Sequence, residues 1–138
     1  MLTVDGSEIV AFSLQLRDVP KELRPELRRN ILDAANVIAA TARANASWSS
    51  RIPDAISARV RFGTGSAVQV VVNAKKAPHA RAFEGIGQRG GTFRHPVFGR
   101  DMWVDQQQRP FLVPAVRQHE DAAVRGVQSA IDAVFKRL

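Results

Sequence analysis

Three histidines, His79, His95 and His119, are the first residues to weigh, because imidazole serves as both metal ligand and general base. None stands in an H-x-x-x-H or H-E-x-x-H arrangement, the spacing that sets two imidazoles on one helix face, so zinc has no support. His95 precedes Pro96 in an extended segment, and His119 beside Glu120 and Asp121 reads as part of a solvated helix face. Nucleophilic catalysis needs a serine with a histidine base and an orienting carboxylate. The serines at 47, 49 and 50 are far along the chain from any histidine, and no nucleophile-elbow motif occurs. Gly85-Ile86-Gly87-Gln88-Arg89-Gly90 matches G-x-G-x-x-G, which cradles a pyrophosphate when a strand leads in and a helix leads out. Here the preceding residues look helical, and Gly91-Thr92-Phe93-Arg94-His95-Pro96 is a poor helix start. The expectation is a mobile loop, with no catalytic residue, no metal site and no cofactor; an enzyme is not expected.

The charge points to binding instead. The formal net charge is +7, and most of the excess sits in residues 51–113. That stretch interleaves arginines with aromatics: Arg59, Arg61 and Phe62, then Arg81 and Phe83, then Arg89, Phe93, Arg94, Phe98, Arg100 and Trp103. A single-strand binder stacks bases on aromatics and tracks phosphates with arginines. Arg and Trp are equally the residues of protein–protein interfaces. Interface use is the preferred reading, and Arg89, Arg94, Phe98, Arg100 and Trp103 are its residues. A nucleic-acid-binding module is the competitor from another class.

These residues need elements to hold them. With 138 residues the chain reads as one domain, 1–138. There is no cysteine, hence no disulfide framework and no thiolate site. The first residues show no basic and apolar signal pattern. The apolar runs are far shorter than the ~18 residues of a membrane span.

Residues 7–17 alternate apolar and polar imperfectly and predict a strand. Pro25 argues against an unbroken helix from Pro20, so one turn is expected at 20–24 and a helix from 25 to 45. Leu27, Ile31, Ala34, Ala35, Ile38 and Ala42 would form its buried stripe. Residues 47–53 read as a loop. Residues 55–62 and 67–73 are β-type runs around Gly63-Thr64-Gly65-Ser66, a hairpin signal. A helical turn fits 79–84. Residues 85–108 are long and irregular for a compact domain, with room for a second hairpin around Gly99-Arg100-Asp101. From Pro114 to Leu138 the apolar stripe Val116, Ala123, Val127, Ile131, Val134 and Leu138 predicts a second long helix, entered through an extended strap of Pro110, Phe111 and Leu112. Phe111 and Leu112 should be buried. The fold class is α+β: a small antiparallel sheet packed against two long helices, with a projecting long loop or hairpin.

Two segments, in order and ahead of the last helix, carry a resemblance: Ala77-Pro78-His79-Ala80-Arg81-Ala82-Phe83-Glu84-Gly85 and Arg109-Pro110-Phe111-Leu112-Val113-Pro114-Ala115. The chain resembles the neck-protein family of long-tailed bacteriophages, the gene-product-ten-like tail completion or tail terminator proteins, with their pattern "A-P-x-A-x-x-x-E-x-G … P-F-L-x-P-A". The likeness covers roughly residues 20–138. Ile52-Pro53-Asp54-Ala55-Ile56 stands where many members have "D-T-G-x-L". The resemblance implies a structural virion protein at the head–tail interface, present in the host cytoplasm during assembly. It would be a tail terminator forming a homo-oligomeric, six-fold ring, with the major tail tube protein and the head–tail connector or stopper as partners. The neighbouring role is a head-side stopper or adaptor. The basic zone would face an acidic neighbour or the DNA in the channel. Phe83-Glu84-Gly85 and the strap Pro110–Ala115 would clamp the last helix to the sheet.

Overall fold

The computed structural model describes residues 3–5, 8–63, 65–84, 92–96 and 103–137; for 3–5, 81–82, 92–96 and 103–107 it describes the backbone alone. Strands β1 (Thr3–Asp5), β2 (Glu8–Gln15), β3 (Ile56–Arg61) and β4 (Ala67–Asn73) form an antiparallel sheet in the order β1-β2-β4-β3. Helices α1 (Arg24–Asn45) and α4 (Leu112–Phe135) pack on one face of it and on each other. Two short helices, α2 (Ile52–Ala55) and α3 (Ala80–Glu84), sit in the connections. Strands β5 (Thr92–Pro96) and β6 (Trp103–Gln107) make a separate two-stranded antiparallel sheet. The chain is thus α+β, with a small antiparallel sheet against two long helices.

The period of two in β4 makes the sheet two-sided. Val68, Val70 and Val72 are fully buried against the helices. On the other face Gln69 accepts from the Arg59 guanidinium, whose second arm reaches Glu8 at 2.8 Å. Strand β2 carries a bulge at Ala11, where the register with β4 slips between Val10 and Phe12. The β3–β4 turn needs left-handed backbone at Gly63 (φ 113°) and Gly65 (φ 72°), and the Ser66 hydroxyl closes it onto the Gly63 N–H and carbonyl.

A 3₁₀ turn, Lys21–Leu23, leads into α1, and Pro25 occupies an early helical position where its missing N–H costs nothing. Leu27, Ile31, Ala35, Ile38, Ala39 and Ala42 are its buried face; Ala34 is only half-buried. Two α1 arginines serve the sheet edge. Arg28 donates to the Val60 carbonyl and Arg43 to the Ile56 carbonyl, each at 2.8 Å, which closes polar groups on β3 that an edge strand leaves open.

The two long helices run antiparallel. The α4 end meets the α1 start through Arg137 and Glu26, and the α1 end meets the α4 start through Asn45 and the Phe111 carbonyl. They are close at Gly126, where an added Cβ would stand 3.1 Å from the Ala34 Cβ. Gly126→Leu should therefore lower stability by about 1–3 kcal/mol through overpacking. Gly126→Ala should stay nearer the parent, because the gain in helix propensity offsets the tight contact. Denaturant midpoints at unchanged slope measure both.

Several sequence expectations are corrected. Helix α4 begins at Leu112, two residues before Pro114, so the extended strap is shorter and Leu112 and Pro114 belong to the helix. Residues 52–55 are helical, in place of loop at 52–53 and strand at 55, with Pro53 tolerated in a first turn. His119 is not a solvated group: its Nε2 lies 2.8 Å from the Thr41 hydroxyl, tying α4 to α1. The short strand β1 was not expected.

Candidate functional site

Helix α3 is set up by Asn73, whose carbonyl accepts from the Lys76 and Ala77 N–H groups and whose side chain accepts from Lys75. Ala77 and Ala80 are fully buried, small enough to let this turn lie against the core. That places Glu84 at the end of α3, and its carboxylate is buried against the start of α4. Oε1 accepts from the N–H groups of Phe111 (2.9 Å) and Leu112 (2.7 Å), and Oε2 from that of Val113 (3.2 Å).

The first N–H groups of any helix lack an intrahelical partner. Here one carboxylate satisfies three, and the next residue, Pro114, has no N–H to satisfy. The helix dipole also favours a negative group at this end. Burial is the strongest influence on Glu84 and raises its pKa above 4.5; the three N–H bonds pull it down and offset part of that. The two halves of the motif thus meet as one buried joint. The joint ties α3 to α4, where the sequence suggested a clamp onto the sheet.

A second layer surrounds it. Phe111 and Leu112 are fully buried, as an apolar pair beside two prolines implies, while Pro110 and Pro114 are exposed. Trp48 stacks at a tilt on Phe83 (ring centroids 4.6 Å), with the His79 ring edge-on to Phe83 at 5.8 Å. The Arg109 guanidinium covers Trp48 at 4.7 Å. Backbone continuity is then explicit: the Arg109 N–H donates to the Phe83 carbonyl at 2.9 Å. Glu84 and Arg109, which bound the segment 85–108, are thus held at the same joint. Strands β5 and β6 lie within that segment.

The expected interface residues all fall within the segment 85–108. Arg94 lies on β5, opposite Asp105 in the register, and Trp103 starts β6, opposite Pro96. Arg89, Phe98 and Arg100 lie outside the described residues. Elsewhere the arginine–aromatic alternation is used internally. Phe62 lies beneath Arg24 and Arg28 at 5.6 and 5.1 Å, and Phe135 lies beneath Arg17 at 4.0 Å. Phe62 and Phe83 are therefore occupied by neighbours and are not open platforms for bases. Among the described residues no group of three or more His, Asp or Glu side chains converges as a metal site. No helix there is long and apolar enough to cross a membrane.

Sequence reasoning located Glu84 and the strap but missed the arginines on the β3 carbonyls and the Thr41–His119 bond. Those partners are far apart in sequence and carry no local signal. Comparison with family models, curated proteins and solved structures finds no match for this chain.

Proposed function

We propose that this chain is a structural virion protein of the head–tail junction of a long-tailed bacteriophage. It acts as a tail terminator: a ring that caps the tail tube and joins it to the head connector. The observation that carries the reading is the joint. The two sequence segments that resemble the neck family are the two that bond each other, through Glu84 and the start of α4. A body to which the basic segment 85–108 is fastened at both ends, acting as an arm, suits a protein that works by contact. Rings follow when one heterologous contact repeats until it closes.

The arm's charge is where binding should be felt. Arg pairs with carboxylates through a planar fork and stacks on aromatics. Replacing Arg89, Arg94 and Arg100 together by Ser should leave the melting curve of the isolated chain unchanged if they serve the interface alone. It should abolish joining of heads to tails, or give tails of uncontrolled length, counted by electron microscopy of infected-cell lysates. Normal tails and normal joining would make the arm a solvated surface. The second reading, a nucleic-acid module, rests on the same charge. It calls for sub-micromolar DNA affinity falling steeply with salt.

A further inference from the structure

The four-stranded sheet is open on one side. Strand β1 pairs only with Glu8, Ile9 and Val10 of β2, and among the described residues nothing pairs with β2 beyond that on the same side. The direction of the open groups follows from the ladder. The Leu16 N–H donates to the Ser66 carbonyl across the β2–β4 boundary, so Leu14 also bonds toward β4. Paired residues alternate between bonded and unbonded positions in an antiparallel ladder. The N–H and carbonyl groups of Ser13 and Gln15 therefore point away from β4, into the open edge, and both residues are exposed.

Beside this edge runs a groove against α4. Two depressions of about 310 and 320 Å³ share Leu14 and continue end to end along the strand. Val116 and Val124 line one and Ile131 the other, making an apolar floor; Glu120 and Asp132 stand exposed at the rim. An open strand edge next to an apolar groove is the receptor half of strand addition, in which backbone bonds supply affinity and alternate side chains fill the groove.

The same chain holds the other half. The β5–β6 sheet has two strands and no third among the described residues. A two-stranded hairpin alone is marginal in water and gains from another strand. β5 is five residues long, matching the open stretch of β2 from about Phe12 to Leu16. It carries Arg94, of sign opposite to the Glu120 and Asp132 carboxylates, while Arg17 lines the far end of the groove.

We infer that β5 of one copy adds to the open edge of β2 in a second copy, in the groove beside α4. Donor arm and acceptor edge are different surfaces, so the contact is heterologous and propagates from copy to copy. The two edges left unpaired among the described residues call for such a contact whatever the head–tail assignment.

The chain has no cysteine, which permits a clean cross-linking test. Gln15→Cys is prepared in one sample. Residues 92 to 96 are replaced by Cys one at a time in others, and each is mixed with the first under mild oxidation. Strand pairing brings cross-strand neighbours to disulfide range only on one face. Covalent heterodimers are expected at alternate positions along 92–96, a period of two that mere proximity would not give. A double variant carrying both cysteines in one chain should form a ladder of covalent oligomers. Cross-linking without the alternation, no cross-linking, or a monomer closed on itself would each overturn the inference. As a second measure, Gln15→Pro removes an outward N–H while leaving the β2–β4 bonds in place. With its melting curve retained, it should weaken self-association at least about tenfold by sedimentation. Unchanged association would count against β2 as the acceptor. Rings that assemble without the alternating cross-links would defeat this inference and leave the head–tail reading standing. Alternating cross-links in open chains, without a closed ring, would do the reverse.

Discussion

Phe111→Ala should destabilise the fold by about 3–5 kcal/mol, the usual cost of emptying a fully enclosed aromatic site. The ring is completely buried at the head of α4, in the core shared by the sheet and both long helices. Its backbone is fixed as well, the N–H by Glu84 and the carbonyl by the Asn45 side chain at 3.3 Å. The surroundings therefore have little freedom to collapse into the space, which puts the cost in the upper part of that range. Urea titration reads it directly as a lower midpoint. An unchanged midpoint would mean the strap lies on the surface.

Glu84→Ala should cost about 2–4 kcal/mol, because it strands N–H donors at a buried helix end and each unsatisfied donor carries a desolvation penalty. Glu84→Gln should cost less, since an amide oxygen still accepts while its NH₂ group opposes one backbone donor. The pH dependence separates the charge from the geometry. Burial raises the folded-state pKa above 4.5, so the folded state binds a proton more readily than the unfolded chain. The contribution of this group is then complete below 4.5 and is lost as pH rises through the folded-state value. The stability advantage of the parent over Glu84→Gln should shrink as pH rises across that window. An advantage that grows with pH would show that the three N–H bonds outweigh burial.

Most of the fold was legible because it is written in local periodicity. The valines of 68–72 between Gly63 and Asn73 declare a hairpin, and the three- and four-residue spacing from Leu27 to Ala42 declares a helix. The errors came where one local rule allows several answers. Pro114 marks a helix start, but any of the first positions tolerates a missing N–H, so the helix could begin two residues earlier. Pro53 ends a stretch that reads as a loop and sits instead in a first helical turn. At the site, Glu84 and the strap were visible as segments. Their bonding was not, since the carboxylate and its donors are 27 to 29 residues apart in sequence. Nothing in the sequence marks Arg28 and Arg43 as partners of β3 carbonyls, because charge alone does not reveal whether a guanidinium faces water or a backbone oxygen.

The proposed ring is tested by the mass and symmetry of the purified 138-residue chain. Native mass spectrometry with electron-microscopic class averages should give a closed particle at six times the 15.2-kDa chain mass, with a central channel and six-fold symmetry. A chain that stays monomeric at every concentration and binds DNA tightly with a steep salt dependence would contradict it.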